Sequence, residues 1–196
     1  MRIILASKSP RRREILETLG LTFDIIVADA DESSDIRCPN ELVATLASRK
    51  GRAVLDKLGD DNRDTLIIAS DTLVYANDEF LGKPKDRADA ERMIRMLSGS
   101  SHEVVSGIYL YLNGHEESGA TATRVIFDEM SDSEIEAYLA TDEPYDKAGA
   151  YAIQGKAGAY IRGIEGDYFN VVGLPVNLLK NTLKEKFNLE ICKITK

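Results

Sequence analysis

Apolar positions along the 196-residue chain follow two rhythms. Largely apolar runs at residues 3–6, 23–28 and 65–69 predict short strands, the last of them central in a covered sheet. Helical spacing takes over between them. Ile15, Leu16 and Leu19 form a stripe, with Ser9 as N-cap, Pro10 at the first helical position and Gly20 as the stop. A long helix begins at Pro39 and buries Leu42, Val43, Leu46, Ala47, Ala53, Val54 and Leu58, with Gly59 after it. Asp86 caps a third, built on Ala90, Met93, Ile94 and Leu97. Residues 102–112 alternate, Asn113-Gly114 is a hairpin signal, and residues 121–127 read as the returning strand. Ser131 and Glu134 form a capping-box pattern before Ile135 and Leu139. A glycine-rich stretch from Ala148 to Gly166 follows. A last helix carries Leu178, Leu179 and Leu183, and residues 189–191 are expected to close as an edge strand. Helix and strand alternate first, and a hairpin follows. That order predicts a mixed α/β sheet flanked by helices rather than an all-parallel, doubly wound one.

Composition narrows the field. The chain is 43% hydrophobic and 30% charged, ordinary for a globular domain, and its length with no evident linker fits one domain over residues 1–196. A net charge of −8 argues against a nucleic-acid polymer as partner, whereas a small anion needs only a local basic pocket. Cys38 and Cys192 form no C-x-x-C pair. No apolar run approaches the ~20 residues of a membrane span, and the apolar start is too short for a secretion signal. A cytoplasmic protein without membrane partners is expected.

Four places could carry chemistry. Arg11, Arg12 and Arg13 open the first helix, where the macrodipole prefers acids. A bound anion would turn that mismatch into a gain, with Ser7 and free N–H groups beside the guanidiniums; three solvated arginines are the plainer reading. Asp71 follows an uncharged strand, a place where α/β folds put catalytic acids. With Glu32 or another acid it could hold Mg²⁺ or activate water, or it could simply close a turn with Thr72. Gly82-Lys83-Pro84-Lys85 could receive phosphate, though the chain has no P-loop and an exposed loop would look the same. Gln154 has both donors and an acceptor and could read a nucleobase edge; a satisfied glutamine in a core turn is the alternative. His102 and His115 are expected at the surface. Several cations, an acid suited to metal and polar amides together suit an enzyme acting on a polyphosphate.

The motifs Ala6-Ser7-Lys8-Ser9-Pro10-Arg11-Arg12, Ala69-Ser70-Asp71-Thr72, Gly82-Lys83-Pro84, Leu97-Ser98-Gly99 and the block from Asp142 to Gly155 resemble, in order, those of the Maf nucleoside triphosphate pyrophosphatases. Gly166-Asp167-Tyr168 and Val172-Gly173-Leu174-Pro175 continue the match. The resemblance implies a mixed α/β, Maf/ITPase-like body with two lobes around a central cleft, often dimeric. It implies hydrolysis of a nucleoside triphosphate to monophosphate and pyrophosphate with a divalent cation, Mg²⁺ or Mn²⁺. The block around Gln154 is similar to the branch acting on dTTP and UTP, and modified pyrimidine triphosphates are further candidates. By the same resemblance Asp71 is the general base or metal-linked acid, and Glu32 helps with metal. Ser7, Arg11, Arg12, Lys50 and Lys83 contact phosphates, and Arg12, Thr72 and Gln154 select the base. Arg13 falls outside the motif. Ala152 stands where many members have glycine, which narrows the pocket beside Gln154. The rival expectation is a nucleotide-binding regulator of septum formation acting through a protein partner.

Overall fold

A computed structural model describes residues 1–194. Seven strands and six α-helices are found among them. The strands are β1 (Arg2–Leu5), β2 (Asp24–Ile25), β3 (Thr65–Ala76), β4 (Glu79–Leu81), β5 (Ser101–Leu112), β6 (His115–Phe127) and β7 (Ile161–Glu165). The helices are α1 (Pro10–Thr18), α2 (Pro39–Leu58), α3 (Arg87–Leu97), α4 (Asp132–Leu139), α5 (Tyr168–Val172) and α6 (Val176–Phe187). Pairing follows the order β2-β1-β3-β5-β6-β7, with β4 added to β3. β1 runs parallel to β2 and β3, while β4 and β7 pair antiparallel to β3 and β6. This is the mixed sheet that the alternation of rhythms predicts.

By its contacts the chain divides into two units. One holds Met1–Asp71, Ser106–Thr121 and the chain from Gly173 on; the other holds Thr72–Val105 and Ala122–Val172. In the first unit, Ile4 opposes Ile67 across the β1–β3 ladder, and both are fully buried with Ala47 and Val54 of α2 and Tyr109 of β5. α2 comes very close to β5. A Cβ at Gly51 would lie 2.0 Å from the Tyr109 ring, and one at Gly107 would lie 2.4 Å from the Val43 carbonyl oxygen. Only glycine permits that approach, and it fixes where the neighbouring Lys50 begins. In the second unit, Met93, Ile94 and Leu97 of α3 pack with Val104, Val125, Phe127 and Tyr138. The expected caps form here: Asp86 accepts from the Asp89 N–H, and Ser131 and Glu134 complete a reciprocal box.

Several expectations are corrected. β3 does not stop near Ala69 but continues through Asp71 and Thr72, so Asp71 lies inside a strand and not in a turn. The polar residues Asn77-Asp78-Glu79 signal a turn, and it forms at Asn77 and Asp78, both of positive φ, but the returning strand β4 that it leads into carries no signal of its own. The run at 23–28 yields only the pair Asp24–Ile25, because β1 alone pairs with it, and Ile25 is left exposed. Residues 189–191 form no strand. Asn188 takes a left-handed conformation (φ 54°), so the Leu189 N–H bonds back to the Leu183 carbonyl at 2.9 Å, and a 3-10 turn follows at Ile191–Lys193. His102 is buried, because the β5 alternation turns it to the same side as Val104; His115 is exposed as expected. A 3-10 turn at Glu143–Asp146 precedes the glycine-rich stretch, which itself forms 3-10 turns at Ala148–Ala150 and Lys156–Tyr160, followed by β7. No helix among the described residues is long and apolar enough to cross a membrane.

Candidate active site

The N-terminus of α1 lacks the usual side-chain cap. Ser9 occupies the cap position, yet its side chain makes no capping bond, and the first turn holds no acid. Ser7, 7% exposed, turns its Oγ inward to accept the Ser9 N–H at 3.2 Å and Arg12 Nη1 at 3.1 Å. Arg12 Nε donates to the Gly173 carbonyl at 2.8 Å, and the Ser70 hydroxyl donates to that same oxygen at 3.3 Å. Arg12 is therefore anchored at both ends of its guanidinium. Burial pulls its pKa down to about 10, with Asp71 opposing and Arg11 adding to the fall; it stays a cation at neutral pH. Arg11 makes no ion pair with any carboxylate among the described residues. Arg13 points elsewhere, paired with Glu17 at 2.7 Å on the exposed face.

Lys50 stands between two acids. Its Nζ lies 2.5 Å from Asp71 Oδ1 and 2.8 Å from Glu32 Oε1, with Asp71 and Lys50 mostly enclosed and Glu32 open to solvent. Burial alone would lower the Lys50 pKa, but Asp71 and Glu32 together outweigh it and hold it above its ordinary value. The resemblance assigns Lys50 to phosphate; in this structure its ammonium is spent on the two carboxylates. Arg49, one residue earlier on α2, holds the loop carrying Glu32. Its Nη1 donates to the Asp31 carbonyl at 3.1 Å and the Ser33 carbonyl at 2.6 Å, on either side of Glu32. Asp31 closes that loop by accepting from the Ser33 hydroxyl and N–H, bonds that lower its pKa.

Ser7, Arg11, Arg12, Glu32, Lys50 and Asp71 all belong to the first unit. Thr72, Lys83 and Gln154 belong to the second. Thr72 follows Asp71 in β3 and is half-buried. Lys83 is exposed and makes no ion pair among the described residues; its loop is tied down by the Gly82 carbonyl, which accepts the Gly149 N–H at 3.0 Å. Gln154 is not a satisfied core residue. It is exposed on a turn, and its amide has no partner among the described residues, because the chain leaves the core after Tyr151.

Sequence reasoning missed Ser70, the Gly173 carbonyl and Arg49. Ser70 and Gly173 lay inside quoted motifs, yet an interior serine and a backbone carbonyl carry no chemical signature until Arg12 is seen reaching for one of them. Arg49 had a signal, since it adjoins Lys50 on a helix otherwise read only for its apolar stripe.

A half-buried arginine at a helix N-terminus without acids and a lysine bridging two acids are groups that suit the chemistry of phosphate anhydrides. The family model described as "Maf-like protein" matches residues 2–186, and the chain belongs to the Maf family. Curated relatives include a dTTP/UTP pyrophosphatase of Bacillus anthracis (strain CDC 684 / NRRL 3495), 41% identical over 97% of both chains. Another dTTP/UTP pyrophosphatase, of Alkaliphilus metalliredigens (strain QYMF), is 45% identical over 97% of this chain and 98% of its own. A solved nucleoside-triphosphatase / dITP/XTP pyrophosphatase from Mycobacterium abscessus shares 13% identity at a TM-score of 0.39, covering 66% of this chain and 76% of that one, a likeness too weak to bear on the reading.

Proposed function

We propose that this chain hydrolyses dTTP and UTP to the monophosphate and pyrophosphate. The observation that carries the proposal is the Glu32–Lys50–Asp71 bridge, on the unit that also anchors Arg12. A pure nucleotide-binding regulator would need no acid held in this way. The curated dTTP/UTP pyrophosphatases, at 41% and 45% identity, supply the substrate class.

In the proposed reaction Asp71 orients a water and takes its proton at a carboxylate oxygen as the water attacks the α-phosphorus. The bond from that phosphorus to the bridging oxygen breaks, and pyrophosphate leaves with the electron pair. Arg11 and Arg12 stabilise the charge gathering on the leaving group, and Arg12, already anchored, pays little further ordering entropy. Ser7 and the bare N–H groups of α1 add dipoles directed at phosphate. In the second unit, Lys83 is assigned a phosphate contact and Thr72 and Gln154 the base.

A divalent cation fits the donor set. Mg²⁺ takes one or two carboxylates and completes its shell with phosphate oxygens and water, and Glu32 and Asp71 already converge on one cationic nitrogen. No cluster of three metal-ligating side chains exists among the described residues, so phosphate oxygens would have to complete the shell. When bound, Mg²⁺ or Mn²⁺ would neutralise phosphate charge and acidify a water.

The test is pyrophosphate release from dTTP and UTP by the purified protein with Mg²⁺ or Mn²⁺. Release is expected from both, with Asp71→Asn slower by roughly 10²–10⁴. Absent release, or an undiminished rate in Asp71→Asn, overturns the proposal.

A further inference from the structure

The turn that carries Gln154 rests on one carboxylate. Glu143 Oε2 accepts the Lys156 N–H at 2.7 Å, and its Oε1 accepts the Ala157 N–H at 3.2 Å. These are the opening amides of the 3-10 turn Lys156–Tyr160, which has no side-chain cap of its own from Gly155. The Tyr138 hydroxyl stands 3.1 Å from Glu143 Oε1 and 3.0 Å from the Ala150 carbonyl, so its single proton holds the carboxylate and the preceding segment together. Tyr138 is buried at 4% exposure, which makes it a firm post. Gly155 sits against the carboxylate: a Cβ there would lie 2.3 Å from Oε1. The chain on either side of Gln154 is thus fastened, at Ala150 and at Lys156–Ala157, to the same Tyr138–Glu143 pair. The Gln154 side-chain amide has no partner among the described residues, so the backbone fixes only where and in which direction the side chain leaves the chain.

We infer that Glu143 is a positioning residue for base selection, clamping the turn so that the Gln154 side chain leaves the backbone from one fixed place and meets the base from there. This rests on the reading of Gln154 as the group that meets the base. Glu143 is not placed on the substrate; it acts through Gln154. A glutamine at 143 would keep one accepting oxygen but turn an NH₂ toward a backbone donor, so it preserves only part of the clamp.

The experiment compares kcat/KM for dTTP, UTP and GTP in the full chain and in Gln154→Glu, Glu143→Ala and Glu143→Gln, with amide exchange followed at Lys156 and Ala157. Expected are a dTTP:GTP ratio that shrinks roughly tenfold in Gln154→Glu and in Glu143→Ala, an intermediate ratio in Glu143→Gln, and faster exchange at both amides in Glu143→Ala. A merely structural glutamate would slow all three substrates alike and leave the ratio fixed, which overturns the inference. If Gln154→Glu leaves the ratio unchanged, the reading of Gln154 fails and the inference with it; if Gln154→Glu moves it and Glu143→Ala does not, the inference alone fails. Should Glu143→Ala not fold, Glu143→Gln decides by the same ratio.

Discussion

The two units hold their polar groups in opposite ways. In the first, Lys50 serves Asp71 and Glu32, and Arg12 is tied to the Ser7 hydroxyl and the Gly173 carbonyl, with Arg11 the exception that makes no ion pair among the described residues. In the second, Lys83 and Gln154 stand exposed with no ion pair or amide bond among the described residues, and the backbone beneath them is what is tied down. The first arrangement suits chemistry, since charge that is already ordered costs little to reorganise when the transition state forms. The second suits discrimination, because an amide whose only fixed part is its backbone gains its bonds from the ligand and is left short when the wrong ligand arrives.

That contrast breaks first at Lys50. If its task is to hold the acids, Lys50→Met should slow turnover by roughly ten- to a hundredfold, a loss of one to two charge-assisted bonds. It should also lower the Mg²⁺ concentration giving half-maximal rate, because no ammonium then competes for Glu32 and Asp71. A rise in KM with unchanged Mg²⁺ dependence would return Lys50 to the phosphate role.

The arginines sharpen the same point. Arg11→Ala should reduce kcat/KM by about tenfold or more, the worth of a charge-assisted contact to phosphate. Arg13→Ala should change it less than twofold, since an exposed i,i+4 pair with Glu17 contributes only about 0.3–0.5 kcal/mol to the fold. Equal losses would dissolve the distinction between cradle and surface.

The smallest effect on catalysis should come from His102, which serves the second unit's core. Its Nε2 and the Tyr151 hydroxyl share a hydrogen bond of 2.7 Å, and burial lowers its pKa to about 4 from an ordinary 6.5. Between those values the unfolded chain binds the proton and the folded one does not. This contribution to stability is complete above pH 6.5 and is lost as pH falls toward 4, by roughly 3 kcal/mol if it acts alone. Urea titrations at pH 7 and pH 4.5 should show a smaller drop for His102→Gln than for the parent, with turnover at neutral pH little changed.

The sequence made some of this contrast legible and hid the rest for physical reasons. Helices announce themselves through periodicity and caps, so α2, α3 and α4 were expected nearly where they lie. Strand ends are set by pairing partners that no local window contains, which is why β3 ran past Asp71 and residues 23–28 shrank to a pair. Among site residues, charge singled out Arg11, Arg12 and Asp71. Whom Lys50 would choose among phosphate, Asp71 and Glu32 depends on three segments meeting. The exposure of Gln154 depends on how a turn leaves the core, and glycine-rich sequence says little about that.

The tight seat of α2 on β5 has a consequence for how this protein can change. Gly51 offers no group to any ligand, yet a single methyl there must displace either the Tyr109 ring or the helix itself. A shift of the helix carries Arg49 and Lys50 with it, and through them the loop of Glu32. Variation at this silent position would therefore be screened by turnover as strictly as variation at Asp71, and a mutational library would record as intolerant a residue with no chemistry to lose.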